Sequence, residues 1–269
     1  VVFLLIYINN QVKPIRGVQP LIQIDAQEPD SSKWGVNFPN QYATLLKTSA
    51  NQTATTFGGS AKTDKLKADP RLVKLFAGNA FSIEYNDDRG HEFALVDVNE
   101  TKRNNDTTPG TCYSCKSADN PRLWSSLGMA KYDAMKFTEL GKQITQPVGC
   151  ANCHEANSMK LIVTNPALEE ALKAQGKDWK TFTRQEMRSL VCGNCHVEYS
   201  FAGDGKYLTF PWKYGTTIEA IEKFYEENQF IDWKHADSGT NMVKLQHPDY
   251  ELFTAESTHY KAGVACADC

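Results

Sequence analysis

Unpaired cysteines are missing from this chain. All eight cysteines stand three positions from a partner, a regularity foreign to small disulfide scaffolds, which are usually shorter and irregularly spaced. Also missing is an apolar run able to cross a bilayer, which takes about 20 residues. The opening VVFLLIYI has only eight. It reads either as the tail of a signal peptide or membrane anchor or as a buried strand. A surplus of either charge is absent: the net charge of -3 excludes the basic excess of a nucleic-acid binder. Low-complexity tracts are missing, and strand signals are scarce, with HEFALVDV (91–98) the best of them. An initiator methionine is missing as well. The chain opens at Val1 and stops at Cys269, and both ends read as cuts within a longer sequence.

What is present is four C-x-x-C pairs: Cys112/Cys115, Cys150/Cys153, Cys192/Cys195 and Cys266/Cys269. A zinc ribbon joins two such pairs about 15–20 residues apart. The gaps here are much longer. A c-type haem needs only one pair per macrocycle, and histidine decides for it. CANCH ends in His154 and CGNCH in His196. Two cysteines and an adjacent histidine fit one helical turn, so two sulfurs can hold the haem edge while the imidazole swings under the iron. Covalent haem also favours a compartment outside the cytoplasm.

CYSCK breaks the pattern, with Lys116 where a histidine is expected. Lysine ligates iron only as the neutral amine, whereas free in water it is protonated, with a pKa of about 10.4. Ferric charge and a desolvated pocket both favour the neutral form. A haem with two histidine ligands passes electrons, whereas catalysis needs an iron with an open side. Lys116 marks a haem altered for chemistry.

Around these motifs helix signals dominate. DPRLVKLFAG offers Asp69 as N-cap, Pro70 at the first helical position, and Leu72, Val73, Leu75 and Phe76 as an apolar face. NPALEEALKAQG repeats the scheme from Asn165 and Pro166 to a stop at Gly176. Thr183–Glu186 and Thr216–Glu219 read as capping boxes. Behind them Met187, Leu190 and Val191, and then Ile218, Ile221, Phe224 and Tyr225, face inward. The expected fold is mainly α: helices and long loops packed around covalently bound haems, with little β. Residues 1–30 read as the end of a signal peptide or anchor plus linker. Residues 31–269 read as a single multihaem catalytic domain, incomplete at its C-terminus.

Beyond the motifs, WGVNFPNQY, GGSAKTDKLKADPRLVKLFAGNAFSIEYN, RGHEFALVDV, VCGNCHVEY, FPWKYGTT, KLQHPDYELF and GVACADC occur in order from about Trp34 to the end. With CYSCK, this set resembles the ammonia-forming, pentahaem cytochrome c nitrite reductases. The resemblance implies six-electron reduction of nitrite to ammonium in the periplasm, fed by a quinol-linked cytochrome donor, in a homodimer. It implies Lys116 as proximal ligand of the catalytic haem on Cys112 and Cys115, with Arg103, Tyr199 and His247 as active-site residues. A guanidinium suits a small anion, and a histidine cycles protons near neutral pH. It further implies a calcium held by Glu198, Gln246 and the carbonyls of Tyr199 and Lys244, oxygen ligands as calcium prefers.

His91 matches the distal partner of His196. His259 matches the distal ligand of the fifth haem, although TAESTHY is one residue longer than the family's spacing. His235 has no implied role and reads as structural. The chain departs from the family's pattern at its end. Four attachment motifs are present where five are expected, and CADC lacks its following histidine. The fifth motif and the distal partners of the second and fourth haems are not in the sequence. Octahaem nitrite reductases share the lysine motif, so an octahaem relative, either a nitrite reductase or a hydroxylamine-oxidising enzyme, is one alternative. A pure electron-transfer cytochrome is the other alternative, and it predicts histidine after every pair.

Overall fold

A computed structural model describes residues 20–55 and 58–269. The apolar run at 1–8 lies outside the described residues. Short α-helices and 3₁₀ turns joined by long loops make up most of the chain, and the strands among the described residues form two-stranded antiparallel ribbons. The mainly α expectation is met. No helix among the described residues is long and apolar enough to cross a membrane.

Helix boundaries follow their caps. The helix Pro166–Ala174 starts at Asn165, whose side chain accepts from the Ala167 amide. The helix Arg184–Leu190 carries the expected Thr183–Glu186 capping box and runs directly into the 3₁₀ turn Val191–Asn194. Leu168, Leu172, Leu190 and Trp212 meet in the principal core with Tyr132 and Leu123. A smaller cluster gathers Ile24, Trp34, Ala151 and Ala156.

Three expectations need correction. HEFALVDV is no strand: it forms a 3₁₀ turn, His91–Phe93, and a helix, Ala94–Glu100. Its apolar residues work at helical spacing, with Val98 buried and Leu95 packed on the core, while Arg89 clamps Asp97 by two hydrogen bonds. The helix after Asp69 begins at Arg71, whose amide donates to the Asp69 carboxylate at 3.1 Å. It ends after one turn, so Phe76 is buried while Val73 and Leu75 are exposed. The Thr216–Glu219 box is displaced by one residue: Thr217 caps Ile218–Glu227 through the Ala220 amide, and Ile218 faces solvent.

Candidate haem-binding and catalytic site

Each cysteine pair starts on a 3₁₀ turn: Gly110–Tyr113, Cys150–Asn152, Val191–Asn194 and Cys266–Asp268. The tight turn puts the sulfurs of a pair close together and the following residue just beyond. The His154 and His196 amides donate to the carbonyls of Cys150 and Cys192 at 3.0 and 2.8 Å, and the Lys116 amide donates to Tyr113 at 2.9 Å.

In the second, third and fourth pairs the third residue of the C-x-x-C motif fastens the motif to its neighbours. Asn194 Oδ1 accepts from the Thr164 and Asn165 amides at 3.1 and 3.0 Å, and its Nδ2 donates to Val191. Asn152 Oδ1 caps Gly149 at 2.9 Å, and its Nδ2 reaches the Ser117 carbonyl behind the first motif. Asp268 caps Ala265 and pairs with Arg188. Sulfurs of different motifs also meet: Cys115 with Cys195, and Cys192 with Cys266. Asn194 Nδ2 also lies 3.5 Å from the Asn152 carbonyl, so the third motif neighbours the second through asparagine and the first and fourth through their cysteines.

The histidines after the second and third pairs each have an acceptor at Nδ1. His154 Nδ1 lies 2.9 Å from the Met159 carbonyl, and His196 Nδ1 lies 3.0 Å from Asp249 Oδ2. An acceptor at Nδ1 fixes the proton there and leaves the Nε2 lone pair for a metal. His91 faces His196 with ring centres 6.3 Å apart. A metal–nitrogen bond of about 2 Å, plus about 1 Å from nitrogen to ring centre, puts two opposed rings about 6 Å apart. The observed separation is of that size, with the rings tilted by 58°. His259 is exposed on the short helix Thr258–Lys261. His235 is structural: its Nε2 is 2.8 Å from the Lys74 carbonyl and its Nδ1 accepts from Ser238. Among the described residues no three His, Cys, Asp or Glu gather as a direct metal site.

The first motif has different company. The Arg103 charge acts on both the Cys112 thiol and the Tyr199 phenol. Lys116 acts on Cys112 and on His247. Burial raises the Tyr199 phenol well above its ordinary value, so it stays protonated. Partial burial, with the charges of Lys116 and Lys244, lowers the His247 pKa against the pull of Asp88, whose carboxylate is 3.8 Å away. Arg103, Tyr199, His247 and Lys116 thus share one neighbourhood.

Beside it, Glu198 is fully buried. Its carboxylate accepts from the Tyr225 hydroxyl at 2.7 Å and from the Gln246 amide at 2.6 Å. Glu198 ties the segment carrying Tyr199 to the one carrying His247. Gln246 Oε1 already lies 3.4 Å from a cation, Lys244 Nζ. One carboxylate with neutral oxygens on two adjoining segments is a donor set that fits calcium.

Several residues here escaped sequence reasoning. Glu251 Oε1 accepts from the Glu198 amide and from Trp212 Nε1, and burial pushes its pKa up to about 7. Tyr225 and Asp249 act from positions that look like ordinary helix residues. Phe81 lies 4.2 Å from the Arg103 Cζ and 4.6 Å from Lys244 Nζ. Its segment, GNAFSIEYN, was visible; its contact with two cations was not.

Four haem-attachment turns, two of them with pre-oriented histidines, define a multihaem c-type cytochrome. The profile of the cytochrome c552 family matches residues 30–269, and the chain belongs to that family. Cytochrome c-552 of Parabacteroides distasonis is 42% identical over 268 residues, covering 97% of this chain and 52% of that protein. Its Bacteroides fragilis counterpart is 43% identical over 255 residues, covering 92% and 52%. The chain spans about half the length of the curated relatives it matches. Among solved structures, the catalytic subunit of cytochrome c nitrite reductase from Desulfovibrio desulfuricans, described for its two calcium sites, is similar. It is 33% identical with a TM-score of 0.85, covering 92% of this chain and 60% of that one.

Proposed function

We propose that residues 31–269 form the catalytic region of a periplasmic nitrite reductase that makes ammonium, with a quinol-linked cytochrome as donor and a homodimer as the working assembly. The observation that carries this reading is the lysine after the first cysteine pair, in the company of Arg103, Tyr199 and His247. Nitrite takes six electrons and eight protons and leaves as ammonium and two waters. Cys112 and Cys115, with the Lys116 amine as iron ligand, would hold the haem that supplies the reactive iron. Cys150/Cys153, Cys192/Cys195 and Cys266/Cys269 would hold the haems that supply electrons. His154, His196, His91 and His259 would be the iron ligands of those haems, with His91 and His196 assigned to the third.

The remaining work falls to the protein. Arg103 offers a permanent charge and forked donors to the anion. The Tyr199 phenol, kept protonated by burial, donates a hydrogen bond to partly reduced nitrogen. His247, neutral near pH 7 because its pKa is lowered, takes up protons and passes them on. Glu198, Gln246 and the carbonyls of Tyr199 and Lys244 would hold a calcium, which would strengthen the tether that Glu198 already makes. The matching Desulfovibrio desulfuricans subunit, with its calcium sites, supports this.

The test is ammonium formation from nitrite by the full-length holoprotein with a reduced dye. Arg103→Ala is expected to lower kcat/KM about 100-fold or more, as loss of one preorganised donor does elsewhere. Absence of ammonium from the wild type, or an unaffected variant, contradicts the reading.

A further inference from the structure

Arg103 is held by a short relay outside every haem motif. Its Nε donates to Thr101 Oγ1 at 3.1 Å, and its main-chain N–H donates to the same oxygen at 3.3 Å. The Thr101 hydroxyl donates in turn to Glu84 Oε2 at 2.7 Å, which also accepts from the Lys102 amide at 2.7 Å. The direction of these bonds is forced, because an ionised carboxylate only accepts. Burial works to raise the Glu84 pKa, but hydrogen bonds from Thr101, the Lys102 amide and Asn86 outweigh it and hold the carboxyl below its ordinary value. The Thr101 proton is therefore committed to Glu84, and its lone pairs face the guanidinium.

The face of the guanidinium is fixed too. Phe81 lies against it at 4.2 Å, and that ring is itself packed by Phe76 and Tyr85, with centroids 5.7 and 4.9 Å away. Among the described residues the side-chain hydrogen bonds of Arg103 run through Nε alone, so both Nη groups keep their donors for a ligand. An arginine ordered before binding loses less freedom when the anion arrives.

We propose that Thr101, oriented by Glu84, is a positioning residue that aims the Arg103 fork at the substrate anion. This rests on the reading of Arg103 as the anion's counter-charge. Neither Thr101 nor Glu84 touches substrate; each acts through Arg103.

The test is nitrite binding to the oxidised, full-length holoprotein without electron donor, followed by the Soret change, so that affinity is read without turnover. Thr101→Val is expected to raise the dissociation constant about tenfold, the scale of losing one hydrogen bond to a charged group. Thr101→Ser restores it to within about twofold, and Glu84→Gln falls between, since an amide still accepts but more weakly. In dye-driven turnover KM rises with the dissociation constant while kcat changes less. Haem content stays equal in all variants.

Arg103→Ala serves as the reference. If it weakens binding while Thr101→Val binds as wild type, the relay is refuted and the anion reading stands. If Arg103→Ala itself binds as wild type, the anion reading falls and the relay with it. Should Thr101→Val not assemble, Glu84→Gln decides: wild-type affinity there refutes the proposal.

Discussion

The turns Gly110–Tyr113 and Val191–Asn194 are both four-residue 3₁₀ turns on which a cysteine pair starts, and they lead to different ends. In one the amide of Lys116 closes on Tyr113 at 2.9 Å; in the other the amide of His196 closes on Cys192 at 2.8 Å. Their surroundings diverge. Across from His196 stands a second imidazole, His91, and behind it a carboxylate, Asp249. Around Lys116 stand a guanidinium, a phenol and a histidine with lowered pKa. A covalent turn fixes where a haem sits. What faces its open side decides whether it conducts or reacts.

The sharpest way to break this contrast is to open the closed centre. In the reduced full-length protein, carbon monoxide is expected to bind one haem per chain. On the proposed ligation His91→Ala adds a second binding haem, because the imidazole it removes is the one assigned to that iron. Unchanged stoichiometry would mean that His91 does not cap the third haem.

Next in size is the tether that assembles the reactive side. Glu198→Ala removes the acceptor of the Tyr225 hydroxyl and the Gln246 amide. The expected loss is about 3 kcal/mol in denaturant unfolding, with Soret-detected nitrite affinity falling in parallel. The conducting side has its own fastener. Asn194→Ala leaves the Thr164 and Asn165 amides unpaired and is expected to cost about 2 kcal/mol while sparing nitrite affinity. If both variants weakened nitrite binding equally, the two neighbourhoods would not be separable.

The smallest effect is a pH slope. Burial pushes the Asp133 carboxyl from an ordinary 3.8 up to about 6, although its Oδ2 accepts from the Leu208 amide. The folded protein then holds a proton that the unfolded chain has released. Stability therefore falls as pH rises from about 4 to about 6, by at most about 1.4 kcal/mol per pH unit, and levels off above. Asp133→Asn should flatten that part of the curve. A slope unaltered by the substitution would assign it to other groups.

Much of this was legible in the sequence, and for identifiable reasons. Covalent attachment demands a fixed spacing, so the four pairs, His154, His196 and the odd Lys116 stand out from residue order alone. Caps such as Asn165 and Thr183 act on neighbours two or three residues away, and they were readable too. The strand expected at 91–98 failed because a short apolar run has no decisive period; the core contact of Val98 and the Arg89–Asp97 pair, not intrinsic propensity, settle it as a helix. Glu84, Thr101 and Phe81 were not readable as a set. They lie up to twenty-two residues from Arg103 in sequence, and only the folded chain brings them onto one guanidinium.

The measurement that bears most directly on the contrast is the exchange of the residue that follows the second cysteine of the pair. Full-length holoprotein carrying Lys116→His, with its haem content unchanged, should form ammonium from nitrite at least about tenfold more slowly than wild type. Equal turnover would show that the lysine beneath the first haem is not what makes that centre reactive.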